Sequence, residues 1–395
     1  MHGYIKGEER FGGTLEFRES SLEDLVVYPL FWKNRKVLIT GHTGFKGSWL
    51  SLWLQRMGAH VTGYALPSPS DPSLFELAQV SGRMESIVGD VRDLEHLTAV
   101  ISKQRPEIIV HMAAQALVRH SYSSPVETYA TNVMGTVNIL EANRRTKCAK
   151  VMIIVTSDKC YENREWLWGY RENDPMGGND PYSNSKGCAE LVTSAYRNSF
   201  FPDIDYSRHG VAIASARAGN VIGGGDWARD RIIPDIMRAF IEKRPVIIRS
   251  PNAVRPWQHV LDPLHGYLCL SERLWERGPE FGGGWNFGPD DGDTRPVSWL
   301  VETLIDLWGE GAGWEMDKDI NPQEAHCLKL DCSKAKSLLA WSTRLDLDTA
   351  LRWTVDWYRA YQQKEDMRGV TEAEIARFEE ILTEGEHASP AVQIL

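Results

Sequence analysis

The sequence lacks the features that mark disulfide-rich, membrane-spanning and nucleic-acid-binding proteins. Its six cysteines are scattered and form no Cys-x-x-Cys pair, which favours free thiols over a disulfide framework. No stretch reaches the roughly 18 consecutive apolar residues of a membrane span. The formal net charge of −10 argues against a nucleic-acid partner, which usually meets a basic face. No His, Cys and carboxylate set has metal-ligand spacing, so we expect no metal site.

The composition is that of a globular protein in a reducing compartment. Hydrophobic residues make up 42% of the 395 residues and charged residues 25%, which allows one large or two ordinary domains. Charged side chains interrupt residues 1–30, so no secretory apolar core is present there. We therefore expect a cytoplasmic location and no membrane partner.

From Arg35 onward, short apolar runs alternate with segments in which apolar residues recur at helical spacing. Such alternation is typical of a parallel sheet with helices on both faces. The sequence thus predicts an α/β fold, with a doubly wound parallel-sheet Rossmann domain and a smaller mixed α/β substrate-binding domain. We expect strands at 36–40, 60–65, 87–88, 108–111 and 151–155, and a helix at 45–57.

The regular alternation declines after about residue 220, where Gly, Pro and Trp become frequent. In the last segment, Thr371 and Glu374 have the spacing of a capping box ahead of an amphipathic helix. We expect four parts: an N-terminal extension over 1–34, a dinucleotide-binding domain over 35–220, a mainly substrate-binding domain over 221–361 that partly returns to the first, and a helical tail over 362–395.

A glycine-rich turn, GHTGFKG at 41–47, follows the first predicted strand and opens the first helix. Glycines at this point let the backbone approach a pyrophosphate, and the helix N-terminus offers free N–H groups to the anion. The second strand end has no acid before Asp71 and no nearby Arg, so the choice between NAD and NADP stays open here. At the third strand end, Asp90 suits an adenine amine or, equally well, a helix N-cap.

Tyr182 and Lys186 are four residues apart, which places both on one face of a helix. A cation beside a phenol lowers the pKa of the phenol, so that it can act as a base near neutral pH.

Over about residues 35–360 the chain resembles the extended short-chain dehydrogenase/reductase family. The resemblance rests on this pair, the glycine turn, HMAAQA at 111–116 and Ser157. The resemblance implies NAD as cofactor, Tyr182 as the base on a sugar hydroxyl, Lys186 on the nicotinamide ribose and Ser157 on the reacting oxygen. It implies a cofactor site formed by Gly41, Thr43, Gly44, Phe45, Lys46, Gly47, Asp90, Val91, Ala113, Ala114, Tyr182 and Lys186.

The stretch TSDKCY at 156–161 narrows the resemblance to the nucleotide-sugar 4,6-dehydratases. In that branch an acidic pair follows the hydroxyl residue, an Asp for the departing water and a Glu for the C5 proton. Here Asp158 matches the acid, but Lys159 replaces the glutamate, as in the members that act on CDP-glucose. Lys159 can take the C5 proton only as a neutral amine; otherwise it stabilises the enolate as a cation. We expect a direct role for Lys159.

A second anion site is expected after the catalytic helix. Asn220 can donate to a phosphate, and Arg231 and Arg255 offer planar guanidinium groups for a diphosphate. Together with Gln258 they form the predicted substrate-binding set for CDP-glucose. The resemblance supports Asn220 and Arg255, whereas Arg231 rests on its charge and position.

Two other functions compete with dehydration. An epimerase of the same fold is opposed by Asp158, because epimerisation at C4 expels no water. A silent NAD(P) sensor is opposed by Ser157, Tyr182 and Lys186, because a sensor has no need of all three. Apolar faces on the helical segments around 125–145 and 182–200 imply, by the resemblance, a homodimer.

Overall fold

The computed structural model describes residues 29–309, 311–317 and 328–387. Within them the strands are β1 (Lys36–Thr40), β2 (His60–Ala65), β3 (Glu85–Val88), β4 (Ile108–His111), β5 (Val151–Val155), β6 (Ala212–Arg217), β7 (Val221–Ile222), β8 (Val246–Ile248), β9 (Val254–Pro256), β10 (Gln258–His259), β11 (Gly283–Asn286), β12 (Thr294–Pro296) and β13 (Trp314–Met316).

The helices of the described residues connect and cover these strands. They are α1 (Pro29–Trp32), α2 (Phe45–Arg56), α3 (Leu74–Leu77), α4 (Leu94–Gln104), α5 (Val118–Ser123), α6 (Pro125–Tyr129), α7 (Gly135–Thr146), α8 (Pro181–Phe200), α9 (Tyr206–His209), α10 (Ile232–Ile241), α11 (Leu261–Arg277), α12 (Val297–Trp308), α13 (Ser333–Leu338), α14 (Leu347–Gln362) and α15 (Met367–His387). A π-helical turn, Ala130–Met134, joins α6 to α7.

Seven parallel strands form one central sheet in the order β3-β2-β1-β4-β5-β6-β11. The chain starts in the middle, runs to one edge and crosses back over β1, so the strand order reverses between β1 and β4. In open parallel sheets, ligands bind beyond the carboxyl ends of the strands at such a reversal. The predicted doubly wound Rossmann fold is confirmed.

The inner strands β1, β2, β4, β5 and β6 are buried on both faces because their side chains alternate between two apolar layers, whereas the edge strand β3 is largely exposed. Val151, Ile153 and Val155 of β5 face the larger core, whereas Met152 and Ile154 face the smaller one. This alternation follows from the two-residue period of an extended chain. It explains why the strands read as unbroken apolar runs in the sequence.

A smaller region is built from three strand pairs, β7 with β10, β9 with β12 and β8 with β13. The chain then returns to the large sheet, because β11 is its seventh strand and α11 packs on β5 and β6. The domain boundaries at residues 220 and 361 stay predictions.

The last residues of the predicted N-terminal extension, 29–34, fall within the described residues and contain α1. Residues 1–28 lie outside the described residues, but α1 already packs on the body of the protein. The Trp32 indole is fully buried and donates to Glu272 Oε1 at 2.6 Å. Trp32 thus belongs to the buried core, while the domain boundary at residue 34 stays a prediction.

The predicted capping box at Thr371 is wrong, because α15 begins one turn earlier at Met367. The Thr371 hydroxyl donates to the Met367 carbonyl at 2.7 Å and accepts from the Trp357 indole at 3.0 Å. On the apolar face, Phe378 is fully buried against Trp53 of α2. The helix therefore packs on the body of its own chain.

Among the helices given above, none combines the length and apolar character that crossing a membrane requires. Five cysteines fall within the described residues, and all five are free thiols. No cluster of three potential metal ligands occurs in that part of the chain.

Candidate active site

The glycine turn lies at the carboxyl end of β1, where the strand order reverses. Gly41 has a φ of +77°, and a Cβ there would lie 2.7 Å from the Ala113 nitrogen. A Cβ on Gly47 would lie 2.2 Å from the Gly41 oxygen. Gly44 caps α2 without any side-chain hydrogen bond. The turn is therefore tight and leaves the N-terminal end of a 12-residue helix uncovered, which fits a pyrophosphate.

The other predicted cofactor residues surround this turn. The Thr43 hydroxyl donates to the Leu66 carbonyl at 2.9 Å, which ties the turn to the end of β2. Ala113 follows β4 and its N–H donates to the Thr40 hydroxyl at 3.2 Å. Val91 is buried, and Ala114 is partly buried beside Ala113.

Asp90 is not the helix N-cap considered as an alternative. The N-cap of α4 is Asp93, whose side chain accepts from the His96 N–H. Asp90 instead accepts from the Arg92 guanidinium at 2.5 and 2.9 Å, which lowers the pKa of the Asp90 carboxyl. A bound adenine would have to share this carboxylate with Arg92.

The stretch Ser157–Lys159 forms the turn that follows β5. Ser157 caps the 3₁₀ turn Asp158–Cys160 by accepting from the Lys159 N–H at 3.3 Å. Its hydroxyl donates to Asp158 Oδ1 at 2.8 Å. Asp158 is only 2% exposed, and a Cβ on Gly219 would lie 1.9 Å from its carboxylate. Glycine at 219 therefore makes room for this buried acid, while Lys159 stays partly exposed.

Tyr182 and Lys186 project from α8, which is capped by Asp180 accepting from the Ser183 N–H at 2.9 Å. Both side chains are buried, and Lys186 Nζ donates to the Val155 carbonyl at 3.3 Å. Burial lowers the pKa of Lys186 to about 8, although the Glu190 carboxylate opposes this. The helix thus brings both groups beside the turn that carries Ser157.

The expectation of a lowered tyrosine pKa is wrong for the chain alone. Burial raises the pKa of Tyr182 to about 12, although a hydrogen bond with Ser157 and the charge of Arg231 both lower it. Asp158 adds to the rise, since a nearby carboxylate disfavours a phenolate.

Lys46 reaches the same site, which its place in the glycine turn did not predict. Its Nζ lies 6.0 Å from the ring centre of Tyr267. Burial, together with the charges of Lys186 and Arg231, lowers the pKa of Lys46 to about 7, while Asp158 opposes this shift. The sequence did contain a sign that Lys46 is unusual, because a lysine in the first turn of a helix lies at the positive end of the helix dipole and is unfavourable there.

The predicted substrate residues separate into two groups. Arg231 forms an ion pair with Asp226 at 3.0 Å, and its charge lowers the pKa of Tyr182, so it lies close to Tyr182. Gln258 is buried and donates to the Gly219 and Phe287 carbonyls at 3.2 and 2.9 Å. Its Oε1 has no hydrogen-bond partner among the described residues. Asn220 adjoins it, since its carbonyl accepts from the Gln258 N–H at 3.3 Å.

Arg255 lies apart from this group, on β9. It stands directly opposite Arg295 of β12 in an antiparallel pair. The pairing brings two positive charges onto neighbouring strands. Sequence reasoning missed Arg295, because the pairing of β9 with β12 is not visible in either short strand.

The family model described as GDP-mannose 4,6 dehydratase matches residues 38–273, which include every catalytic candidate. The chain belongs to this family. The predicted resemblance to nucleotide-sugar dehydratases is thereby confirmed.

Individual relatives within and around the family agree with this assignment. The CDP-glucose 4,6-dehydratase of Salmonella typhimurium is 56% identical over 348 residues, which cover 88% of this chain and 97% of that protein. The dTDP-glucose 4,6-dehydratase of Streptomyces antibioticus is 26% identical, covering 82% of this chain and 92% of that protein.

Solved structures share the fold at lower identity. The dTDP-glucose 4,6-dehydratase of Bacillus anthracis in complex with NAD has a TM-score of 0.68 at 21% identity, over 85% of this chain and 99% of that one. The epimerase Mth375 of Methanothermobacter thermautotrophicus has a TM-score of 0.74 at 22% identity, over 85% and 96%. A dehydratase and an epimerase therefore both share this fold.

Proposed function

We propose that this protein is an NAD-dependent hydro-lyase that converts CDP-D-glucose to CDP-4-keto-6-deoxy-D-glucose and water. The observation that carries the proposal is the buried Asp158 beside Ser157, Tyr182 and Lys186, within a chain 56% identical to a CDP-glucose 4,6-dehydratase. A buried acid next to a hydroxyl-oxidising site is what the loss of water from the sugar requires.

The cofactor would lie on the turn made by Gly41, Gly44 and Gly47, with Lys186 on the nicotinamide ribose. The cradle fits, because Cβ atoms on Gly41 or Gly47 would collide with the backbone that the turn must approach. When bound, NAD supplies the chemistry of taking a hydride from C4 and returning it to C6.

The side chains of the chain move the protons. Tyr182 removes the proton of the 4-hydroxyl as the C4–H bond gives up its hydride, while Ser157 holds the reacting oxygen. The resulting ketone acidifies the C5 proton. A lysine then takes the C5 proton while Asp158 protonates the 6-hydroxyl, so that water leaves and a C5–C6 double bond forms. Hydride addition at C6 and proton return at C5 complete the product, with no net oxidation.

Tyr182 needs help to act as a base, since its pKa is about 12 in the chain alone. The positive charges at hand are Arg231, which already lowers this pKa, and Lys186 one helical turn away. The positive nicotinamide ring would add to them. We infer that the phenol becomes a competent base when the cofactor is bound.

Two lysines can take the C5 proton. Lys159 occupies the position of the glutamate in related dehydratases and adjoins Asp158, and we keep it as the first candidate. Lys46 is the second, because its pKa of about 7 makes a neutral amine available at neutral pH. Lys159→Met and Lys46→Met can be compared by solvent exchange of the C5 hydrogen; exchange at the wild-type rate in Lys159→Met would overturn the first assignment.

An anion site for the nucleotide is proposed in two parts. Asn220 and Gln258 lie near Asp158, because Gln258 donates to the Gly219 carbonyl and Gly219 adjoins the Asp158 carboxylate. We assign this part to the sugar. Arg255 and Arg295 lie opposite each other on β9 and β12, and their guanidinium groups suit the diphosphate. Arg231, which the sequence placed with the diphosphate, serves the reaction site in this arrangement.

The test is a donor panel. Purified protein, with and without added NAD, is incubated separately with CDP-glucose, dTDP-glucose, UDP-glucose and GDP-mannose, and mass spectrometry follows the loss of one water. We expect loss from CDP-glucose. Loss from another donor alone would keep the reaction and reject the nucleotide. Epimerised UDP-sugar without water loss would favour the alternative function.

We also propose that two copies form a homodimer through α5 to α8. Apolar side chains are exposed on the outer faces of these neighbouring helices, including Val126 at 81% and Leu191 at 61%. Leu191→Glu is expected to yield monomers by sedimentation, whereas a wild-type monomer would refute the dimer. The free cysteines favour a cytoplasmic location.

A further inference from the structure

Glu190 lies on the same face of α8 as the two catalytic candidates, four residues after Lys186 and eight after Tyr182. It is only 5% exposed. Such a buried carboxylate is stable only when its oxygens are well satisfied by donors. The groups that satisfy it come from β6 and from the residue that follows β5.

Four hydrogen bonds hold the Glu190 carboxylate. Oε1 accepts from the Thr156 hydroxyl at 2.5 Å and from Arg217 Nε at 2.9 Å. Oε2 accepts from the Ser215 hydroxyl at 2.6 Å and from Arg217 at 2.8 Å. Ser215 and Arg217 belong to β6, and Thr156 immediately follows β5. Glu190 therefore ties the catalytic helix to two neighbouring strands.

Arg217 extends this network to the far end of the catalytic turn. Its remaining nitrogen donates to the Tyr161 hydroxyl at 2.6 Å, and that hydroxyl donates to Asn286 Oδ1 at 2.7 Å. Thr156 and Tyr161 thus fix both ends of the segment that presents Ser157 and Asp158. Neither Glu190 nor Arg217 reaches the reacting groups directly.

The network also acts through charge. Burial raises the pKa of Glu190, but Arg217 and the hydroxyl donors outweigh it, so the net shift is downward and the carboxylate stays ionised. Glu190 then raises the pKa of Lys186, as Cys160 also does. The remaining neighbours of Lys186 include Lys46 and His111, whose pKa values Lys186 lowers.

We infer that Glu190 and Arg217 are positioning residues for the dehydration, which lock the Ser157–Asp158 turn against the helix that carries Tyr182 and Lys186. This inference rests on the proposed function for its readout, but the geometry belongs to the chain itself. A misplacement of about 1 Å at reacting groups can cost about 100-fold in rate, so a lock of this kind has a measurable effect.

The matched test uses Thr156, which contributes one hydroxyl to the network. Thr156→Ser keeps that hydroxyl and Thr156→Val removes it at nearly constant volume. We expect wild-type turnover in Thr156→Ser and a kcat about tenfold lower or more in Thr156→Val, with KM for CDP-glucose changed less than about twofold. Equal kcat values in the two variants would overturn the inference.

Glu190→Gln tests the effect of the Glu190 charge on the pKa of Lys186. Loss of the carboxylate lets the pKa of Lys186 fall, so the alkaline limb of the kcat–pH profile is expected to move to lower pH. A purely structural role would lower the melting temperature and leave this limb in place, which would reject positioning. If Glu190→Gln fails to fold, the comparison of Thr156→Ser with Thr156→Val still tests the inference. A wild-type enzyme that removes no water rejects the proposed function instead, which keeps the two failures distinct.

Discussion

Replacement of Lys46 by methionine is expected to stabilise the cofactor-free protein and to impair its activity. Burial and the neighbouring cations Lys186 and Arg231 lower the pKa of Lys46 from 10.5 to about 7. A shift of one pKa unit corresponds to about 1.4 kcal/mol, so the upper limit of the penalty is about 5 kcal/mol. The side chain is only partly buried, and solvent screening reduces the expected gain to about 1–2 kcal/mol.

The pH dependence of the gain follows from proton linkage. Between about pH 7 and 10.5 the unfolded chain binds more protons at Lys46 than the folded chain does, so stability rises with pH over this window. The penalty is complete below about pH 7 and disappears above 10.5. Lys46→Met should therefore gain most at or below neutral pH, and the gain should fade towards the alkaline end.

The assay is chemical denaturation of cofactor-free protein across that pH window, combined with turnover of CDP-glucose. Lys103→Met, on the exposed face of α4, is the matched control and should change neither quantity. A Lys46→Met variant that is less stable than wild type would refute the reasoning about burial. A variant with full turnover would refute the placement of Lys46 in the reaction site.

Three further changes test other parts of the structure. Gly41→Ala should abolish NAD binding in calorimetric titration, because its Cβ would lie 2.7 Å from Ala113 N; retained affinity would contradict the cradle. Asp158→Asn should slow water loss about 100-fold or more while C4 oxidation, followed by NADH absorbance, persists. Phe378→Ala should cost about 3–5 kcal/mol in urea unfolding, since the ring is fully buried on Trp53; a loss below about 1 kcal/mol would contradict the packing of α15.

Four strands of the central sheet were predictable because they are short, apolar and buried on both faces. The runs at 36–40, 60–65, 108–111 and 151–155 coincide with β1, β2, β4 and β5. Strand β11, GGWN, escaped prediction since two of its four residues are glycine and it lies at the edge of the sheet. Tertiary pairing supplies there what the local pattern does not.

The candidate site was only partly predictable, because spacing indicates which residues share an element but not where a long side chain ends. Tyr182 and Lys186 are four residues apart on one helix, so their proximity follows from helix geometry. Lys46 and Arg231 meet this pair from elements far apart in sequence. Their charges alter the pKa values at the site, which no single segment reveals.

The capping-box error at Thr371 also arose because a single segment does not reveal tertiary packing. The motif was present, but Met367 is buried and starts α15 one turn earlier, so the threonine hydroxyl is used inside the helix. Packing against α14 therefore outweighed a local signal that amounts to about 1 kcal/mol.

The polar side chains of TSDKCY, which follow the buried strand β5, have two kinds of hydrogen-bond partner. Thr156 and Tyr161 turn to the Glu190–Arg217 network, whereas Ser157 and Asp158 bond to each other beside Tyr182. The buried oxygens of Thr156, Ser157, Asp158 and Tyr161 are tolerated because each has a defined partner. The same contacts that satisfy them hold the catalytic turn rigid, since the turn cannot shift without breaking a buried hydrogen bond at one end. Stability and alignment at this strand end therefore depend on the same atoms, which is why Thr156, outside the chemistry, is expected to control its rate.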